Sequence, residues 1–121
     1  MNLILLRYKI EKSWSAASAY EPALFNTNKA AFQCEVTSRL IYEVIVASSE
    51  PYSNKIFKGI IEGREHWFNV INNVPFDITF RQFAPASVLE SIIEVKPETL
   101  CVEDWKVKCY NELKTNYNSQ E

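Results

Sequence analysis

The feature that most constrains this chain is a series of three short runs rich in β-branched and aromatic residues. The runs cover residues 55–62, 65–71 and 74–79. Two pairs of turn-forming residues, Gly63-Arg64 and Asn72-Asn73, separate them, and this pattern predicts an antiparallel β-meander.

The second turn predicts which residues of the meander lie opposite each other. Asparagine tolerates the positive φ angles of a two-residue hairpin turn, so a turn at 72–73 sets the register. In that register Phe68 faces Asp77 and His66 faces Thr79. Because side chains alternate along a strand, His66 and Asp77 emerge on one face as diagonal neighbours.

Helical patterns flank the meander on both sides. Residues 2–14 and 31–46 carry apolar residues at helical spacing, and a β-like stretch at 88–95 precedes a closing helix near 98–115. The polar arc of the second helix is expected to hold Glu35, Ser38, Arg39, Tyr42 and Glu43. The core stripe of the closing helix is expected to hold Val102, Trp105, Cys109 and Leu113. The predicted fold class is α+β, a cysteine-bearing helix packed on a small antiparallel sheet between N- and C-terminal helices, in one domain over residues 1–121.

Charge and composition exclude several classes of function. The 13 Lys and Arg and 15 Asp and Glu residues are interleaved and give a net charge of −2, so no basic stripe is available for nucleic acid. No apolar stretch approaches the roughly 18 residues that a transmembrane helix needs, and no signal peptide is recognised. Three cysteines without paired spacing favour a reducing, cytoplasmic location. We expect no cofactor, and a small molecule or peptide as partner.

Cys34, His66 and Asp77 form the constellation best suited to chemistry. Cys34 falls in the first turn of the second helix, where the helix dipole and unpaired N–H groups stabilise a thiolate. His66 is the only histidine, so it is the candidate base near neutral pH, and Asp77 could orient its ring. The backbone N–H of Cys34 and the amide of Gln33 are candidate oxyanion donors. Gln82 is a candidate supporting donor.

Two other interpretations of these residues stay open. In a non-enzymatic binding or interaction domain, Cys34 is a small buried residue and the polar groups satisfy one another. In a mononuclear metal site, Cys34, His66 and Asp77 would supply thiolate, imidazole and carboxylate ligands. Asn69 is expected on the opposite face of the strand in a structural role. Cys101 and Cys109 are expected to belong to the core, and Trp14, Trp67 and Trp105 to be core residues or half-buried anchors.

Several short segments together resemble the YunG-like family of small bacterial proteins. The matching pieces are Trp14 with the polar loop after it, Gln33-Cys34-Glu35-Val36-Thr37, His66-Trp67 with Asn69, and Asp77-Ile78-Thr79 with Gln82-Phe83. They extend over roughly residues 13–83. Two positions differ from the family pattern, because Phe32 stands where the family tends to have glycine and Glu35 replaces a small residue.

The order of a cysteine on a helix, a histidine on one strand and an acid on the next also resembles papain-like and transglutaminase-like hydrolases. This resemblance of arrangement implies a papain-like core and a covalent acyl-enzyme intermediate on the cysteine. The YunG-like resemblance supports the choice of site residues but implies no particular activity. The leading hypothesis from sequence is a small cysteine hydrolase or acyl transferase, with Cys34, His66 and Asp77 as its catalytic residues.

Overall fold

The computed structural model of the protein describes residues 2–84 and 86–120 and confirms the α+β class. Three α-helices and a four-stranded antiparallel sheet lie within these residues. The helices are α1 (Leu3–Ser13), α2 (Cys34–Ala47) and α3 (Asp104–Asn118), and the strands are β1 (Asn54–Ile61), β2 (Arg64–Ile71), β3 (Val74–Phe76) and β4 (Glu90–Val95). No helix in this part of the chain is long and apolar enough to cross a bilayer.

The first three strands form the predicted meander, and β4 adds to the other side of β1, in the order β3-β2-β1-β4. The second hairpin turns at Asn72 and Asn73, whose φ angles are 52° and 65°, and Asn69 pairs with Phe76 as predicted. β3 ends at Phe76, earlier than predicted, so Asp77 lies in the loop that follows it. The local rule for asparagine turns therefore fixed the register, although the length of β3 was overestimated.

The outer strand β4 is irregular where it meets β1. The register shifts between Lys58 and Ile60, and Ser91, opposite this point, has a φ angle of 55°. A β-bulge of this kind inserts an extra residue and increases the local twist. Gly59 lies beside the bulge, and a Cβ there would come within 2.7 Å of the Leu89 side chain. The absence of a side chain at this position allows the segment before β4 to approach β1.

Helix α2 packs on β1 and β2, and both of its sides are covered by protein. Val36, Leu40 and Ile41 lie in the main hydrophobic core, as the apolar arc predicts. The prediction of an exposed polar arc is wrong for Glu35 and Ser38, which are 3% and 2% exposed. Glu35 is covered by Tyr20, by Cys101 before α3 and by Lys106 of α3, whereas Ser38 meets Asn69 of β2, and such long-range packing leaves no signal in the periodicity of α2.

The predicted core stripe of α3 is correct only at its C-terminal end. Leu113 is fully buried and Cys109 packs against the core, but Val102 and Trp105 are 64% and 48% exposed. Val102 precedes the first residue of the helix, Asp104, so helical spacing does not apply to it. The inward side of α3 is completed instead by Tyr110.

Candidate functional site

Cys34 is the first residue of α2, which places its thiol at the positive end of the helix. The preceding residue, Gln33, makes no capping hydrogen bond with its side chain. The first N–H groups of a helix have no partner within the helix, so those around Cys34 favour a nearby negative charge. Cys34 is 8% exposed, which leaves it only a narrow opening to solvent.

His66 lies in the middle of β2 with its ring completely buried. Its Nε2 is 2.6 Å from Oδ2 of Asp77, the residue immediately after β3. Thr79 donates from its hydroxyl to the other carboxylate oxygen of Asp77 at 3.4 Å. The short hairpin between β2 and β3 thus brings the histidine and the acid together, as the predicted register requires.

Three phenylalanine rings surround the imidazole of His66. Phe68 lies parallel to it at 6.1 Å between ring centroids, and the rings of Phe80 and Phe83 meet it edge-on at 6.2 and 5.0 Å. Apolar walls of this kind exclude water and strengthen electrostatic interactions between the groups they enclose. The pair of His66 and Asp77 therefore lies in a dry environment.

The charge state of His66 depends on its two polar neighbours. Burial by itself lowers the pKa of His66, whereas the hydrogen bond that the ring donates to Asp77 and the interaction with Cys34 raise it, and the net effect raises the pKa to about 9. The other ring nitrogen, Nδ1, is buried and makes no hydrogen bond of ordinary length and angle. Because Asp77 occupies Nε2, Nδ1 is the nitrogen left to exchange a proton with the sulfur of Cys34. At neutral pH the ring is therefore an imidazolium that interacts with the thiol.

Gln33 and Gln82 hold the loop that leads into Cys34. The buried carboxamide of Gln33 accepts from the Ser18 hydroxyl at 2.8 Å and donates to the carbonyl of Ser15 at 3.1 Å. Gln82 accepts from the backbone N–H of Phe32 at 3.0 Å and donates to the carbonyl of Thr79 at 3.1 Å. Gln82 thus connects the approach to the cysteine with the loop that carries Asp77.

A second buried polar cluster begins at the residue after the cysteine and was missed by sequence reasoning. The carboxylate of Glu35 accepts from the Tyr20 hydroxyl at 3.0 Å and from the backbone N–H of Cys101 at 2.8 Å, and it pairs with Lys106 at 3.0 Å. Burial raises the pKa of Cys101 to about 12, so this thiol stays protonated. Residues 20, 101 and 106 are far from Glu35 in sequence, and no local pattern connects them.

The structure contains a cavity of about 550 Å³ on a different side of α2 from its N-terminus. It lies between α2 and the segment around residues 97–107, and neither Cys34 nor His66 lines it. Its size alone gives it no role in chemistry at the cysteine. Among the residues described, no group of three or more His, Cys, Asp or Glu side chains is arranged to hold a metal ion. The metal-site interpretation of Cys34, His66 and Asp77 therefore receives no structural support.

Comparison with known proteins assigns the chain to a family. A model of the YunG protein family matches residues 2–120, so the chain belongs to the YunG protein family, as the sequence resemblance predicts. No curated protein and no solved structure matches the chain. The resemblance to papain-like and transglutaminase-like hydrolases therefore finds no support in these comparisons.

Proposed function

We propose that this YunG-family protein is a small cysteine hydrolase or acyl transferase. Cys34 is the nucleophile, His66 carries the proton, and Asp77 holds the imidazole ring in position. The observation that supports the proposal is the pairing of the two ring nitrogens of His66: Asp77 occupies Nε2, and the buried Nδ1 makes no hydrogen bond of ordinary geometry but interacts with the Cys34 thiol. Asn54 Oδ1 and Asn69 Oδ1 are also buried without a partner, so it is the nearby thiol, and not an unpaired atom alone, that favours a chemical role.

The groups present are sufficient for acyl transfer. The Cys34 thiolate attacks the acyl carbon, a carbon–sulfur bond forms, and the bond to the leaving amine or alcohol breaks as that group takes the proton of the His66 imidazolium. The neutral imidazole then removes a proton from water or an acceptor nucleophile, which attacks the thioester and releases the acyl product and the thiolate. The unpaired N–H groups at the start of α2 stabilise the oxyanion.

Gln33 and Gln82 act in this proposal by positioning the cysteine. Their carboxamides are engaged with the backbone and with Ser18, so they fix the loop that enters α2. The backbone N–H of Cys34, which the loop orients, is the oxyanion donor that this arrangement favours.

The proposal is tested by the rate at which iodoacetamide alkylates Cys34 at pH 6, with the labelled residue located by mass spectrometry. We expect Cys34 to react faster than an ordinary exposed thiol, because the imidazolium and the helix N-terminus stabilise its thiolate. Free N-acetylcysteine is the reference for an ordinary exposed thiol, and Cys109, whose pKa burial raises, is a slower internal reference within the same chain. Equal rates for Cys34 and N-acetylcysteine at pH 6 would falsify the proposal.

The deep burial of His66 favours one competing function, a binding or interaction domain in which the same cluster is only structural. In that case Cys34→Ser costs some stability and leaves the affinity for the partner unchanged. In an acyl-transfer enzyme the same variant loses all covalent labelling by an acyl-directed reagent while it remains folded. Labelling of the wild-type protein at Cys34, with a Cys34→Ser preparation shown by urea unfolding to be folded as the control, therefore separates the two functions.

A further inference from the structure

Arg64, the first residue of β2, is held between two aromatic rings. Its guanidinium carbon lies 4.7 Å from the ring centroid of Phe32 and 5.0 Å from that of Phe83. Arginine stacks on aromatic faces while its N–H groups point outward from the edge of the guanidinium plane. The two rings therefore hold this cation in one orientation and leave its donors available.

The guanidinium of Arg64 has no carboxylate partner within the part of the chain that the structure describes. Arg7 and Arg39, in contrast, pair with Glu11 and Glu43 at 2.8 and 2.9 Å. The positive charge of Arg64 helps to lower the pKa of Glu62, but one carboxylate oxygen of Glu62 accepts hydrogen bonds from the Ser87 hydroxyl and from the backbone N–H of Ala84. Arg64 is thus a half-buried, oriented cation that interacts with Glu62 at a distance but forms no direct ion pair within the described residues.

The two rings that hold Arg64 also border the candidate site. The Phe83 ring contacts the His66 ring at 5.0 Å between centroids, so one aromatic ring separates the guanidinium from the imidazole. Phe32 lies two residues before Cys34 in the same turn of chain. Phe32 and Phe83 therefore connect the Arg64 guanidinium with the surroundings of Cys34 and His66.

We propose that Arg64 is an anion-binding residue that receives a carboxylate of the substrate. The proposal rests on the proposed function of Cys34 and narrows the substrate class to acyl compounds that carry a carboxylate near the reacting carbonyl. The planar guanidinium matches a carboxylate with two parallel hydrogen bonds, and the absence of a direct ion pair among the residues described leaves this position to a ligand.

The charge preference of alkylation at Cys34 tests this proposal. Iodoacetate and iodoacetamide differ mainly in the negative charge, so the ratio of their rates measures how the site attracts an anion. We expect Arg64→Gln to lower this ratio about threefold or more, because the Arg64 guanidinium is separated from the His66 ring by the Phe83 ring alone and solvent screens its charge only partly. Arg7→Gln, which removes the same charge from α1, should leave the ratio unchanged. Arg64→Lys should retain part of the preference, and an unchanged ratio in Arg64→Gln overturns the proposal.

Ligand binding gives a second measurement that does not require a reactive thiol. N-acetylglycine should shift the Arg64 Nε–H resonance, whereas the neutral N-acetylglycinamide should not. If Cys34 reacts slowly with both reagents but N-acetylglycine still shifts the Arg64 signal, the acyl-transfer proposal fails and the carboxylate site stands. If Cys34 reacts rapidly, but Arg64→Gln leaves the rate ratio unchanged and N-acetylglycine does not shift the Arg64 resonance, the carboxylate-site proposal fails and the acyl-transfer proposal stands.

Discussion

Two buried polar clusters start from successive residues of α2, and they differ in how completely their groups are paired. The cluster of Glu35, with Tyr20, Cys101 and Lys106, offers its carboxylate three partners within 3.0 Å. The cluster of Cys34, with His66 and Asp77, leaves Nδ1 of the imidazole unpaired. A fully paired network fixes a structure, whereas the cluster of Cys34, His66 and Asp77 keeps one ring nitrogen incompletely paired beside a thiol.

The backbone near both clusters is held in the same way. Phe32, before Cys34, and Cys101, in the Glu35 cluster, have φ angles of 58° and 56°, in the left-handed region that residues other than glycine rarely adopt. Each donates its N–H to a side chain, Phe32 to Gln82 and Cys101 to Glu35. Both clusters therefore include a residue with a left-handed backbone whose N–H is bound by a side chain, and they differ in how completely their polar side chains are paired.

The largest effect on stability should come from removing the Glu35 carboxylate, the centre of the fully paired cluster. Glu35→Ala removes a 3% exposed carboxylate and leaves the Cys101 N–H and the Lys106 ammonium without their partner, so we expect a loss of about 3–5 kcal/mol in the free energy of unfolding. Urea unfolding measures it. Glu103→Gln, which weakens an exposed contact of the same lysine at 3.8 Å, should cost about 0.5 kcal/mol or less. A loss below about 1 kcal/mol for Glu35→Ala would contradict the structural role of this cluster.

Asp77→Asn changes the cluster of Cys34, His66 and Asp77, and its main effect should be on the reactivity of the Cys34 thiol. The neutral amide can still contact Nε2 of His66, but it no longer stabilises the imidazolium, and we expect alkylation of Cys34 at pH 6 to slow about tenfold, equivalent to about 1.4 kcal/mol. Stopped alkylation followed by mass spectrometry measures the rate. Glu35→Gln provides the comparison, because a change in the fully paired cluster should alter this rate less than Asp77→Asn does.

Between pH 6.5 and about 8, below the range in which the thiols of the unfolded chain titrate, the pH dependence of stability should report the cluster of Cys34, His66 and Asp77. The pKa of His66 is raised from 6.5 in the unfolded chain to about 9 in the folded protein, so its contribution is complete below pH 6.5 and is lost as the pH rises through 9. We expect a loss of about 1.4 kcal/mol for each pH unit in this window. Because the chain has one histidine, its ring C–H resonance is assigned without ambiguity. A titration midpoint at or below 6.5 would show that Asp77 and Cys34 do not stabilise the cation.

The smallest effect should come from Phe32, the residue with a left-handed backbone two positions before Cys34. Phe32→Gly and Phe32→Ala both remove the ring, but only glycine adopts a φ angle of 58° without strain. The relief of strain is partly offset by the entropy of glycine in the unfolded chain, so Phe32→Gly should be roughly 0.5 kcal/mol more stable than Phe32→Ala. Thermal unfolding of the two variants gives this difference. Equal stability would indicate that the loop relaxes when the ring is removed.

Local rules predicted the parts of the molecule that depend on neighbouring residues. The Asn72-Asn73 turn fixes the register of β2 and β3, and this register was sufficient to expect the contact between His66 and Asp77. The position of Cys34 at the start of α2 followed from apolar periodicity. The difference in the family pattern at Phe32 also has a physical meaning, since glycine is the residue that suits its backbone.

Packing between distant segments could not be predicted in the same way. Nothing local indicates that the thiol of Cys34 approaches the ring of His66, or that Glu35 meets the chain before α3. The stripe assigned to α3 failed at Val102 because the helix begins after it. The catalytic roles of Cys34, His66 and Asp77 remain predictions for the measurements above.

Both outer edges of the sheet carry features that oppose the addition of another strand. β3 is three residues long and contains Pro75, which has no N–H to donate, and β4 has the bulge at Ser91. Exposed strand edges are where folded proteins begin to associate into fibrils, and shortness, proline and bulges counter this. The irregularity of β4 thus helps keep a chain with exposed isoleucines at 92 and 93 from aggregating at high concentration.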